Sequence, residues 1–396
     1  MLKLAIISDL HLGFAYGTER GEDAFKNAEK AFNLALKEEP NLILLGGDIF
    51  HDKIPRPEIL GRTIELFTKI NKSTKANTLL LEKTKNNETK ELKKVIPSII
   101  CIWGTHERRH AQSTNPVQIL QKAGLLYSLH AESILVEAGY DKIGLHGLSG
   151  VPETYAKEAL KSWSPQPFKD ATNILMLHQN FKELLPVDEG LTYGDLPKGF
   201  NLFILGHIHW KSESKHPATN TPILIPGSTI ATQLTQKESQ KDKGIHIIEL
   251  SRQKGNIDFI PISTRPLFYE KIKVSGERPN EISVKIMQKI NEILTKKHKQ
   301  KPMLRIKLQG ILAEGFSPSD LSVNSIIKDY KDKLILNIDK SKLTSTVLER
   351  QSQLLAELKE KKLTIDQLGL NLLIKNLKTN LEKEKLESIF NLLADG

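Results

Sequence analysis

Five short apolar runs in this chain each end in aspartate or histidine, and that recurrence constrains the fold more than any other feature. Leu4–Ile7 leads to Asp9 and His11, and Leu42–Leu45 leads through Gly46 and Gly47 to Asp48, with His51 just beyond. Ile99–Ile102 leads to Thr105, His106 and Glu107; Ile174–Leu177 leads to His178; Leu202–Leu205 leads to His207 and His209. An apolar run of this length bounded by polar residues reads as a buried strand, and the end of such a strand is where a sheet opens to solvent and carries its sites. One Asp-x-His arises by chance; five strand ends of the same kind point to one shared site.

The residue types limit the chemistry. Carboxylate and imidazole ligands suit divalent first-row metals such as Mn, Fe or Zn, and the absence of thiolates from the set excludes a cysteine-type structural zinc site. Asp48 has two oxygens, so one carboxylate can bridge two ions. Taken singly, each histidine reads as a lone core or surface imidazole. The group does not.

In chain order, Asp9-Leu-His11, Gly47-Asp48, Gly104-Thr-His-Glu107, His178 and Gly206-His-Ile-His209 resemble the motifs of the calcineurin-like metallophosphoesterase superfamily. Within it the chain is most similar to the SbcD-type branch, the meiotic-recombination-eleven family of DNA double-strand-break repair nucleases. Gly47-Asp-Ile-Phe-His51, Gly144-Leu-His-Gly-Leu-Ser-Gly150 and a charged helical tail carry that narrower likeness.

The resemblance implies an α/β fold: a β-sandwich flanked by helices over residues 1–265, a small α/β DNA-binding capping domain over 266–340, and a helical segment over 341–396. It implies two Mn2+ ions, one held by Asp9, His11, Asp48 and His209, the other by Asp48, His178, His207 and Thr105. His106 matches the non-ligand histidine that stabilises the transition state or protonates the leaving group, Glu107 is expected to orient its imidazole, and His51 is a second non-ligand histidine facing the phosphate. The family usually has asparagine where this chain has Thr105, a shorter and weaker neutral ligand, so looser binding of the second metal is expected. The implied activity is 3′-5′ exonuclease and single-strand endonuclease cleavage at break ends during homologous recombination. The implied partners are double- and single-stranded DNA, an SMC-like coiled-coil ATPase gripped by the C-terminal helices, and a second copy of the chain. A small-molecule phosphodiesterase and a non-catalytic scaffold subunit of the same complex are the competing readings.

Composition agrees with a nucleic-acid partner. The formal net charge of +10 favours a polyanion, nucleic acid first and an acidic membrane second. Arg108 and Arg109, beside the third motif, are expected to pair with phosphates, with a solvated loop as the alternative reading. Cys101 is the only cysteine and sits inside an apolar run, so it reads as core, and a reducing compartment is expected. With no cleavable hydrophobic signal and no run of about 18 apolar residues, the expected location is cytoplasmic, at the nucleoid, without membrane insertion.

Between the motifs, apolar spacing predicts helices over Asp23–Lys37, from Pro55 to Ile70, after Asn115, over Ile282–Leu294 and from Ser317. Residues 71–94 read as a lysine-rich insertion of undetermined shape, and His146 as a hydrogen-bonded structural histidine outside the metal set.

Overall fold

The computed structural model describes residues 2–74, 78–110, 113–138, 141–250 and 255–345. These fall into two compact units, one ending at Leu267 and the other beginning at Phe268.

In chain order the strands of the first unit are β1 (Leu2–Ile7), β2 (Leu42–Leu45), β3 (Thr78–Lys85), β4 (Glu88–Ile96), β5 (Ile99–Ile102), β6 (Tyr127–Leu129) and β7 (Glu132–Ala138). They continue with β8 (Asp141–Leu148), β9 (Thr172–His178), β10 (Leu202–Gly206), β11 (Ser212–Lys215), β12 (Pro222–Ile225), β13 (Gly244–Leu250) and β14 (Gly255–Pro261). The helices are α1 (Asp23–Lys37), α2 (Pro57–Ser73), α3 (Pro116–Lys122), α4 (Ala156–Trp163) and the single turn α5 (Gln236–Ser239). A six-stranded sheet has the order β14-β13-β1-β2-β5-β6, and an eight-stranded sheet the order β11-β12-β10-β9-β8-β7-β3-β4.

The motif strands lie in parallel blocks: β1, β2, β5 and β6 in one sheet, β8, β9, β10 and β12 in the other. Parallel strands covered on both faces must be apolar at every position, which explains why the runs carry no polar alternation. Leu4, Ile6, Leu42, Leu44, Ile100 and Ile102 meet Ile143, Leu145, Ile174, Met176, Leu202 and Ile204 in the layer between the sheets. Their chain neighbours Ala5, Ile7, Ile43, Leu45, Ile99 and Cys101 turn outward, into a core shared with α1, α2 and α3. Leu175, Leu177, Phe203 and Leu205 pack outward with Ala156 and Leu160 of α4. The expected helix-flanked sandwich is what the chain forms.

Local sequence accounts for the helices. Helix α1 opens with Asp23, closes with Lys37 to match its dipole, and buries Ala24, Phe25, Ala28, Ala31, Phe32 and Ala35 on one stripe. In α3 the Asn115 side chain accepts from the Gln118 amide while Gln118 reaches back to the Asn115 amide, a full capping box ahead of Pro116.

Several expectations need correction. The insertion over 71–94 is largely a β-hairpin, β3 and β4, turning at Asn86 and Asn87, whose φ values of 51° and 63° suit the tight turn that matches strand twist. Its sequence hides it because β4 is an edge strand with exposed Lys90, Lys93 and Lys94, residues that guard a free edge instead of alternating into a core. Helix α4 has no counterpart among the expected helices, being too short to show a period.

The second unit is a three-stranded sheet in the order β15 (Leu267–Glu277), β16 (Met303–Leu312), β17 (Ile335–Thr344), with helices α6 (Pro279–Leu294) and α7 (Val323–Tyr330). Ile272, Val274, Leu304, Ile306 and Leu308 pack with Ile282, Ile286 and Ile290 of α6. Lys271 and Lys273 alternate with the buried pair and stay exposed. The helix expected from Ser317 begins later, as α7. Ser317–Asp320 is a turn, closed by the Ser317 amide and hydroxyl donating to Asp320 Oδ2 at 2.7 and 2.9 Å, so those hydrogen bonds replace a helix start. The helical segment expected from Ser341 does not begin there, because β17 continues through Thr344, pairing Lys342, Leu343 and Thr344 with Gln309, Gly310 and Ile311. The remainder of that expected tail, from residue 346, lies outside the described residues. Among the described residues no helix is long and apolar enough to cross a membrane.

Candidate metal centre

Beyond the ends of β1 and β2 the two chain segments run on side by side. The Asp9 amide donates to the Gly47 carbonyl at 3.0 Å, the His11 amide to the Asp48 carbonyl at 2.9 Å and the Leu12 amide to the Ile49 carbonyl at 2.8 Å. To turn their side chains to one point, Asp9, His11, Asp48 and His207 adopt left-handed backbone conformations, with φ of 53°, 46°, 46° and 82°. Each costs about 1–3 kcal/mol in a non-glycine residue and persists only where the surroundings enforce it. The third motif is tied in by the His106 amide, which donates to Asp48 Oδ1 at 2.9 Å.

The side chains gather into two ligand groups, Asp9 with His11 and His209, and Asp48 with His178 and His207; within each group the ligand atoms lie within 4.8 Å of one another. His178 Nε2 stands 3.2 Å from Asp48 Oδ2, and His11 Nε2 stands 3.1 Å from His209 Nε2. Residues as far apart in sequence as 9 and 209 thus share one pocket. A third group joins His11 to His51 and His106. The half-buried His51 has Nδ1 3.5 Å from His11 Nδ1, and its ring lies 4.9 Å from that of His106.

These residues fit a pair of cations. Among the described residues, Asp9 Oδ1 and His207 Nδ1 are buried without a hydrogen-bond partner, a costly arrangement for two polar atoms of one pocket unless a ligand completes them. His178 Nδ1 donates to the Gly46 carbonyl at 2.7 Å, which turns its Nε2 inward. Two imidazole Nε2 atoms 3.1 Å apart, as in His11 and His209, need a proton or a cation between their lone pairs.

The local electrostatics follow from burial against charge. Burial lowers His11 well below the usual imidazole range and takes His207 to about 3, so both present neutral lone pairs. Burial also opposes the charged forms of Asp48 and His178, but their mutual attraction overrides it: Asp48 is held well below the carboxylate range and His178 is pushed up to about 10. His178 would have to release that Nε2 proton to serve as a ligand to a cation. Burial raises Asp9, with Asp48 adding repulsion that the neighbouring histidines offset.

Glu107 does not orient the His106 imidazole. Its oxygens accept from the Phe50 and Gly104 amides, each at 2.7 Å, so it braces the backbones of the second and third motifs against each other. The carboxylate is fully buried there, and burial beside Asp48 pushes it up to about 8 against the help of those two amides. The His106 ring is oriented instead by its Nδ1, which meets the His51 carbonyl. Thr105 sits half-buried between Gly104 and His106, Arg108 is half-buried and Arg109 exposed. His146 is structural as expected, with Nδ1 at 2.8 Å from Ser133 Oγ and Nε2 at 3.0 Å from Asn173 Oδ1.

Sequence reasoning missed the supports. Ser8 hydrogen-bonds Asp9 Oδ2. Behind His209 stand Thr232, Glu238 and Lys243, which follow no motif and carry no signal in the sequence, because the segment between them is mostly exposed and polar. Gly104 has a steric role: a Cβ there would lie 2.5 Å from Asp48 Cγ and 2.6 Å from Asp48 N. Gly104→Ala is therefore expected to displace Asp48, costing about 1–3 kcal/mol of stability and most Mn2+ affinity. Thermal melts and metal titration check this, and unchanged values in both would refute it.

Comparison with known proteins agrees with this geometry. The chain is 27% identical over 328 residues to "Double-strand break repair protein MRE11" of Encephalitozoon cuniculi, covering 78% of this chain and 56% of that protein. It is 25% identical over 321 residues to "DNA double-strand break repair protein Mre11" of Saccharolobus solfataricus, covering 78% and 76%, and 26% identical over 375 residues to "Double-strand break repair protein MRE11" of Homo sapiens, covering 80% and 51%. The chain spans about half the length of those eukaryotic relatives. The family model described as calcineurin-like phosphoesterase matches residues 2–211, more than half of the chain and every strand end that supplies a ligand group, and the chain belongs to the calcineurin-like phosphoesterase family.

Proposed function

We propose that this protein is a Mn-dependent DNA nuclease that processes double-strand-break ends, with 3′-5′ exonuclease and single-strand endonuclease activities. The observation that carries the reading is the pair of buried ligand groups, with His106 held beside them: its ring lies 4.9 Å from that of His11. Asp9, His11, Asp48 and His209 would hold one ion, and Asp48, His178, His207 and Thr105 the other. Such ions would supply an activated water and neutralise the non-bridging phosphate oxygens.

The protein's own groups do the rest. Asp48 accepts the His106 amide through Oδ1, so ligand and acid are fixed in one backbone frame. Because the His51 carbonyl can only accept, His106 Nδ1 carries a proton; the doubly protonated ring passes its Nε2 proton to the leaving oxygen and is left neutral with Nδ1–H still on that carbonyl. His51, half-buried beside it, faces the phosphate as a further donor.

The names of the relatives support DNA break ends as the substrate, as does the net charge of +10. Lys271 and Lys273 on β15 offer phosphate contacts in the second unit, and Arg108 and Arg109 beside the site. Partners in this reading are a second copy of the chain and an SMC-like coiled-coil ATPase.

Mn-dependent digestion of 3′- and 5′-labelled duplexes, with metal stoichiometry measured on the same sample, tests the proposal. Two bound ions without cleavage would point to a scaffold, and turnover of cyclic nucleotides but not DNA to a small-molecule phosphodiesterase. Thr105→Asn is expected to lower the Mn2+ concentration for half-maximal activity roughly tenfold, since an amide oxygen is the better neutral donor. The same Mn2+ requirement in both proteins would rule out Thr105 as a weak ligand.

A further inference from the structure

Behind His209, away from His11 and Asp9, lies a buried ion pair that the proposed chemistry leaves unused. Glu238 and Lys243 are each 5% exposed. Lys243 Nζ donates to Glu238 Oε1 at 2.9 Å, to Ser228 Oγ at 2.8 Å and to the His209 carbonyl at 2.6 Å, which uses all three of its hydrogens. Glu238 Oε2 accepts the Gln233 amide at 3.0 Å. The free side of Glu238 Oε1 lies 3.6 Å from His209 Nδ1, and Thr232 Oγ1 lies 2.9 Å from that same nitrogen.

A buried ion pair is no more stabilising than apolar side chains of the same volume, and often less so. Packing alone therefore gives no reason for charges here. Their placement does, because one partner holds the backbone of His209 and the other faces its ring.

We infer that Glu238 and Lys243, with Thr232, form a positioning unit that keeps the proton of His209 on Nδ1 and presents the Nε2 lone pair to the metal pocket. An imidazole free to rotate or to change tautomer offers that lone pair only part of the time, and the contacts that fix a ligating histidine are worth about 10–100-fold in metal affinity. Lys243 adds a second constraint through the His209 carbonyl, so ring and backbone are fixed by one network. The unit acts on the ion shared with Asp9 and His11, and leaves the Asp48, His178 and His207 group untouched.

This inference rests on the metal-centre reading, and its test separates the two. Glu238→Gln alone strands the Lys243 charge and can unfold the protein, so the informative form is the double variant Glu238→Gln/Lys243→Met, which removes both charges together. Metal-stripped wild-type, double variant and Thr232→Val proteins are titrated with Mn2+ by calorimetry, with melting of the metal-free proteins measured alongside. The expected result is a double variant that melts near the wild type and binds one of its two Mn2+ ions about tenfold or more weakly, the other unchanged. Thr232→Val is expected to weaken the same ion by a smaller factor. Wild-type affinity at both sites in both variants overturns the inference while the metal reading stands. A wild-type protein that takes up no Mn2+ removes the metal reading and this inference with it.

Discussion

Asp48→Ala is expected to abolish cleavage, with kcat/KM lower by at least about a thousandfold, or about 4 kcal/mol of transition-state stabilisation. The size follows from how many contacts converge on one carboxylate. Oδ2 faces His178 at 3.2 Å, Oδ1 accepts the His106 amide at 2.9 Å, and the backbone carbonyl accepts the His11 amide at 2.9 Å. Alanine keeps only the last of these. In the proposed reading both ions lose a shared ligand, and His106, the proposed proton donor, loses the acceptor of its amide in the same step. Stability of the metal-free protein should fall as well. Attraction to His178 holds buried Asp48 well below the carboxylate range, so its charge is favoured in the folded protein, and alanine loses that pairing and leaves the His106 amide without its acceptor. The expected signature is a metal-free melting temperature below that of the wild type, with the Mn2+-induced rise in melting temperature gone. Two Mn2+ ions per chain bound at wild-type affinity would sink the bridging role.

The metal centre was legible in the sequence because the physics of a parallel sheet writes it there. Strands covered on both faces carry no polar residues, so the first polar residue after each run marks the sheet's edge, and His178 or Asp48 stands out against its context. The supports were not legible, because their job is done by geometry instead of residue type. Glu107 stands next to His106 in the chain, and adjacency suggests contact with its ring; in a tight turn, neighbouring side chains diverge, and Glu107 instead bonds the Phe50 and Gly104 amides. Glu238 and Lys243 lie beyond the last motif, and only the return of β13 alongside β1 brings that segment behind His209. In the second unit, Ser341–Thr344 has helix-compatible residues, yet the open edge of β16 captures it as strand. The hairpin of β3 and β4 is hidden for the same reason: the sheet supplies its backbone partners while many of its side chains remain in water.

His106→Ala is the second large effect and the one that separates proton transfer from metal binding. The His106 side chain stands outside both cation groups, its ring fixed by the His51 carbonyl and lying 4.9 Å from the His11 ring. Alanine retains the backbone amide that donates to Asp48 Oδ1, so the ligand frame persists. Loss of a positioned general acid costs about 10²–10⁴-fold in kcat. Duplex DNA affinity and the stoichiometry of two Mn2+ ions are expected to be unchanged, and KM to move little. A leaving group of low pKa needs no proton, so a nitrophenyl-ester substrate should lose far less rate than DNA in this variant. If the variant instead loses Mn2+ in parallel with activity, His106 is a ligand, and the acid must be sought in His51, whose ring lies 4.9 Å away on the same side of the pocket.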